Sequence, residues 1–139
     1  MLFGEQIFDL IPQRPPIVMV DALWSVTPTE AVTGLTIKGD NIFLSDGLLR
    51  EAGLIEHIAQ SAAAFVGYAN YASQLPPRLG YIGEIKKCKI HLLPPIGEEL
   101  KTTISIVAEA AGITLIAAQT LNKAGDCVAE CQMKIFLKS

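Results

Sequence analysis

Two polar side chains stand four residues apart in an otherwise oily stretch, Glu56 and Gln60 in Gly53-Leu54-Ile55-Glu56-His57-Ile58-Ala59-Gln60. At that spacing they share one face of a helix. A carboxylate among Leu54, Ile55 and Ile58 would be partly desolvated, which raises a carboxyl pKa and suits a general acid or base. An ordinary solvated carboxylate, favoured by the helix dipole in the first turns, fits the same position. His57 is one residue on and points elsewhere. With Ser61 and Ala64 as its face neighbours, it reads as a structural or interface histidine.

The element that must position Glu56 runs from Glu51 to about Ala72. It has no proline, and its only glycines are Gly53 and Gly67 near its ends. Leu54, Ile55, Ile58, Ala59, Ala62, Ala63, Phe65, Val66 and Ala69 recur at three- and four-residue spacing, which predicts a largely buried helix. Glu56, His57 and Gln60 interrupt it, so it is not expected to span a membrane. Ser61 to Ala64 are all small and would let another backbone come close.

The rest of the chain reads as strands around that helix. Phe3–Ile11 suggests a short helix ended by Pro12. Ile17–Val26 and Glu30–Lys38 read as strands, separated by the Thr27-Pro28-Thr29 turn. Ser73–Arg78 is a loop. Leu79–Leu93 is extended, with a bulge expected near Lys86. Lys86, Lys87 and Lys89 read as a solvated strand face, with a carrier-protein docking patch as the weaker alternative. Trp24 is assigned to the core or an interface. Leu100–Ala108, Ile113–Leu121 and a last strand from Cys127 complete the set, joined by turns at Ala111-Gly112 and Lys123–Asp126. The last strand alternates Cys127, Ala129, Cys131, Met133, Ile135 and Leu137 against Glu130, Gln132 and Lys134. The fold class is therefore α+β, a curved antiparallel sheet wrapped around one long helix.

Composition narrows the function. With 139 residues the chain is expected to form a single domain over 1–139 with a real core. It is 50% apolar and only 18% charged, which favours burying surface against a partner, most simply itself. A net charge of -3 without a basic run argues against nucleic acid. No stretch near Met1 pairs a charged region with an apolar one, so no signal peptide is expected. If Cys127 and Cys131 share a strand they lie ~13 Å apart, too far to bridge. Together with Cys88 they read as reduced thiols of a cytoplasmic protein. Neither histidine stands at ligand-like spacing to a cysteine, so no metal is expected.

Several motifs resemble the hot-dog-fold 3-hydroxyacyl-acyl-carrier-protein dehydratases. Leu10-Ile11-Pro12-Gln13-Arg14-Pro15-Pro16 through Val20-Asp21 is similar to their opening L-P-H-R-x-P-x-x-x-V-D. Gly53 to Gln60 is similar to P-G-x-x-x-x-E-x-x-A-Q. Ile82-Gly83-Glu84-Ile85-Lys86 and Pro95-Ile96-Gly97-Glu98-Glu99-Leu100 resemble their later strand and turn. The resemblance implies a hot-dog fold and a site between two subunits, where a carboxylate from one and a histidine from the other eliminate water across C2 and C3 of an acyl thioester. Carried over by residue, Glu56 is the catalytic carboxylate and Gln60 the glutamine one turn later. Gly53 supplies a backbone N–H for the thioester carbonyl at the helix N-terminus. Ile58, with Ala62 and Phe65, would line an acyl tunnel between helix and sheet. The family's histidine sits in G-H-F ahead of the helix. Here the triplet is Gly47-Leu48-Leu49, so Leu48 occupies a substrate-facing position that cannot transfer a proton.

Three readings follow from this resemblance. The first is an acyl-ACP dehydratase of fatty-acid or polyene synthesis, with Glu56 working alongside Asp46 or a water. The second is a non-catalytic hot-dog subunit that binds acyl-ACP or pairs with a complete dehydratase. The third is a thioesterase in which Glu56 activates water. All three imply an acyl-ACP or acyl-CoA thioester, an acyl carrier protein, no cofactor, and a homodimer, a larger homo-oligomer or a hetero-oligomer.

Overall fold

A computed structural model of the chain describes residues 1–75 and 80–137. Residues 76–79 of the expected loop and following strand, and the side chain of Leu137, lie outside the described residues. Among the described residues nine strands, one 3-10 helix and one α-helix follow in order: β1 (Leu2–Phe3), the 3-10 helix (Gly4–Asp9), β2 (Ala22–Val26), β3 (Glu30–Thr36), β4 (Leu44–Ser45), β5 (Leu48–Leu49), α1 (Glu51–Ala72), β6 (Gly80–Ile90), β7 (Glu99–Ala110), β8 (Ile113–Leu121) and β9 (Cys127–Leu137). Seven strands form one antiparallel sheet in the order β1-β2-β3-β7-β8-β9-β6, and β4 pairs with β5 separately.

The helix falls where the periodicity places it, from Glu51 to Ala72. Leu54, Ile58, Ala62 and Phe65 bury against Leu35, Ile104, Ile116, Met133 and Ile135 from the sheet. The small residues at its middle are used as expected. Ser61 Oγ accepts a hydrogen bond from Thr33 Oγ1 at 2.7 Å, and Ala62 and Ala64 are fully buried. On another side, Gly67 lies against the Leu10 carbonyl so tightly that a Cβ there would collide with the oxygen.

One expected feature is corrected and another narrowed. The strand Ile17–Val26 pairs only from Ala22. Ile17 closes a turn on the Arg14 carbonyl, and side chains of α1 take up backbone groups of Ile17 and Met19 that a neighbouring strand would otherwise satisfy. Of the two places expected for Trp24, the core is excluded, since the side chain is 47% exposed on the single chain. Trp24 is the extra residue where Leu23 pairs with Thr33 and Ser25 with Val32, and that bulge turns it outward against Phe3. A bulge also falls beside Lys86, as expected, because Lys86 pairs with Gln132 and Lys89 with Glu130.

Candidate active site

The site is built from the second and third turns of α1. Glu56 is part-buried, and its Oε2 accepts a hydrogen bond from Gln60 Nε2 at 2.8 Å. Gln60 is 1% exposed and every polar atom of its amide is engaged. Its Oε1 accepts from the Met19 N–H at 2.6 Å, and its Nε2 also donates to Ile17 O at 2.9 Å. The amide orientation is therefore fixed, and with it one oxygen of Glu56. The shared face read from the spacing is thus a working contact.

His57 faces the opposite demand. Its Nδ1 is 2.6 Å from Met19 O, which can only accept, so Nδ1 carries the proton. Its Nε2, 2.8 Å from Thr102 Oγ1, then accepts the threonine hydroxyl, and Thr102 in turn takes the Thr120 hydroxyl at 2.7 Å. Burial pushes the imidazole below its ordinary pKa, opposed by its bond to Met19 and by the charge of Asp21. A neutral imidazole with both nitrogens engaged does not relay protons; it fastens α1 to β7, β8 and the Met19 segment. The chain's other histidine, His91, hydrogen-bonds Glu130 at 3.1 Å. Nor are the part-buried Cys127 and the buried Cys131 nucleophiles, because burial raises the first and pushes the second up to about 12.

Leu48 sits in β5, in the hairpin that leads into α1. Asp46 and Gly47 both have positive φ, 54° and 75°, as a two-residue turn of this hand requires. The hairpin is seated by Leu49 N–H on Pro94 O at 2.8 Å and Ile96 N–H on Gly47 O at 3.1 Å. Leu48 is part-buried and Asp46 exposed at the turn. Two other expected site residues lie differently from the carried-over roles. The Gly53 N–H already donates to Arg50 O at 3.0 Å. A Cβ at Gly53 would come within 2.6 Å of Phe43 Cβ, so the glycine is needed for packing. The helix amides left without a helical acceptor are the two before it, of Glu51 and Ala52. Ile58, Ala62 and Phe65 are packed in the main core rather than spread along an open channel. Two surface clefts of the single chain, one around Val18 and Asn41 and another around Phe8 and Tyr71, are not lined by Glu56.

The lysines of β6 do not form one free face. Lys86 and Lys134 share Glu84, at 3.3 and 3.4 Å. The Lys86 contact holds Glu84 below the usual carboxylate range. What sequence reasoning missed was the role of residues 17–19. They present backbone groups rather than side chains to the site, and no side-chain pattern signals that.

A curved antiparallel sheet around one long central helix defines a hot-dog protein. A model of the ApeP-like family, described as ApeP dehydratase, matches residues 5–139, and the chain belongs to that family. Among solved structures, the dehydratase heterocomplex ApeI:P from Xenorhabdus doucetiae matches with a TM-score of 0.87 at 15% identity, over 96% of this chain and 91% of that one. The PaaI protein from the E. coli phenylacetic acid degradation operon matches with a TM-score of 0.65 at 15% identity, over 83% and 81%. A hypothetical thioesterase with coenzyme A from Streptococcus pneumoniae TIGR4 matches with a TM-score of 0.67 at 10% identity, over 84% of each chain. At such identities the structures establish the fold. No curated protein sequence matches this chain.

Proposed function

We propose that this chain is one half of a two-subunit dehydratase. It acts on 3-hydroxyacyl thioesters borne on acyl carrier protein, in cytoplasmic lipid or polyene synthesis, and Glu56 is its contribution to the chemistry. The observation that carries the reading is the pairing of a positioned carboxylate with a missing base. Gln60 fixes Glu56 at 2.8 Å, while Leu48 fills the histidine position and His57 is buried with both nitrogens engaged. A histidine from a second hot-dog subunit takes the C2 proton. Glu56 gives its proton to the C3 hydroxyl, which leaves as water, and the trans-2-enoyl thioester remains. The free amides of Glu51 and Ala52 take over the carbonyl-holding role expected of Gly53, where they meet the developing negative charge.

Pairing is supported at the sheet edge. β6 is an edge strand and leaves Tyr81 51%, Ile82 44% and Ile85 40% exposed. A bare edge carrying apolar side chains favours coverage by another chain. The similarity to a dehydratase heterocomplex supports a second hot-dog subunit in that place. The thioesterase alternative shares only the fold.

The test is turnover of a 3-hydroxyacyl-ACP by the purified chain alone, beside Glu56→Gln and Leu48→His. The native chain should be inactive, and Leu48→His, which restores a histidine between identical chains, should gain dehydration. Full turnover by the native chain that survives Glu56→Gln would overturn the assignment.

A further inference from the structure

β9 begins with an irregular step. Thr120 pairs with Ala129 and Leu121 with Cys127, which leaves Val128 as an extra residue. Val128 and Ala129 are both fully buried, so the alternation breaks there and Cys127 turns to the side of Glu130. This corrects the expected face, on which Cys127 lined up with Cys131. The bulge also fixes a third residue. Val128 O accepts the N–H of His91 at 2.8 Å and that of Leu92 at 3.4 Å, pinning the His91 backbone beside the pair. His91 Nε2 is 3.1 Å from Glu130 Oε2, and Cys127 Sγ is 3.5 Å from the same oxygen. The three ligand atoms all lie within 4.8 Å of one another.

We propose that His91, Cys127 and Glu130 form a binding site for a thiophilic divalent cation of the zinc type, with a fourth position held by water. Tetrahedral zinc bonds of about 2.0–2.3 Å place neighbouring donors about 3.4–3.6 Å apart. The nitrogen–oxygen and sulfur–oxygen separations already lie near that range. The third pair, within 4.8 Å, closes by at most roughly 1.2–1.4 Å, a shift within reach of the exposed His91 ring. A thiolate with an imidazole excludes the hard cations, which prefer all-oxygen sites.

The protons balance. Cys127 releases its S–H proton to solvent, and burial with the Glu130 carboxylate nearby has kept that proton on. His91 coordinates through the Nε2 lone pair with its proton on Nδ1, and Glu130, held below the usual carboxylate range by His91, enters as an anion. The cation ties the end of β6 to the start of β9. The segment it roots runs on to Pro94 and Ile96, which seat the hairpin carrying Leu48.

The sequence hid this cluster because the cysteine and the histidine meet through strand pairing and a bulge, not through spacing. The competing explanation is a plain surface ion pair between His91 and Glu130, with Lys89 opposite Glu130 in the register.

Cobalt(II) titration of the reduced, chelator-treated full chain separates the two. The site predicts one equivalent with a thiolate-to-cobalt charge-transfer band that zinc abolishes. The band should persist in Cys88→Ser and vanish in Cys127→Ser. His91→Ala and Glu130→Gln, confirmed folded by circular dichroism, should weaken binding at least about tenfold. The proposal is overturned if the folded native chain gives no band. It is equally overturned by a band that follows Cys88 rather than Cys127, or by affinity indifferent to both His91 and Glu130.

Discussion

Gln60 ties the proposed catalytic carboxylate to the folded backbone. Its amide joins the Glu56 carboxylate to the backbone of Ile17 and Met19. Gln60→Ala should cost about 1–3 kcal/mol, because it leaves the buried Met19 N–H unpaired; the midpoint of urea unfolding measures this. The change also frees Glu56 to rotate, so turnover of the assembled enzyme should fall further than stability alone explains. His57 gives the chain a pH signature. Its folded pKa lies below the ordinary 6.5, so the unfolded chain takes up the proton first as pH falls. Stability is therefore full above pH 6.5 and declines as pH drops through that value toward the lowered folded pKa. This acid limb begins near pH 6.5, above the range in which carboxylates such as Glu84 and Glu130 protonate. His57→Gln should be less stable at neutral pH yet lack that limb, as thermal melts between about pH 7.5 and 5 would show. The Glu56–Gln60 contact was legible from four-residue spacing. The role of His57 was legible only as structural, since Thr102 and Thr120 reach it from distant strands.

At the scale of elements, α1 was readable end to end because periodicity and length agreed. The strands were readable by alternation except where bulges interrupt it. Extra residues fall at Trp24, at Val107 and at Val128. Two more interrupt β6, at Gly83 and beside Lys87. Such bulges let the sheet curve around the helix. Each also flips side chains against the two-residue period, which is why Cys127 was assigned to the wrong face and why Trp24 stands outside the core. Only the break beside Lys86 left a trace in the pattern. Gly67 tests the close approach of helix and backbone. In an open helix Gly→Ala would gain about 0.8–1 kcal/mol. Here the Cβ meets the carbonyl of Leu10, a residue only 1% exposed, and backbone cannot swing aside. Overpacking costs of about 1–3 kcal/mol should win, so Gly67→Ala should lower the urea midpoint. Gly83→Ala should cost less, because what its Cβ meets is the ring of Phe136, a side chain 36% exposed.

The whole molecule has an exposed apolar edge, and the proposed two-subunit site gives that edge a purpose. Ile85→Lys on β6 should weaken subunit association without unfolding the chain, a shift that light scattering would register. The hot-dog fold could be read from the order of elements and from the Glu56 helix. The proposal of a partner was already legible at Leu48, because the resembled dehydratases carry their histidine there while Glu56 and Gln60 match their helix residues. The most direct measurement is dehydration of 3-hydroxyacyl-ACP by this chain mixed with a histidine-bearing hot-dog subunit. The two-subunit assignment predicts turnover in the mixture and none from this chain alone, with Glu56→Gln in this chain lowering the mixed rate at least about 100-fold. A mixed rate unchanged by Glu56→Gln would contradict it, and would leave this chain as a structural companion to a complete enzyme.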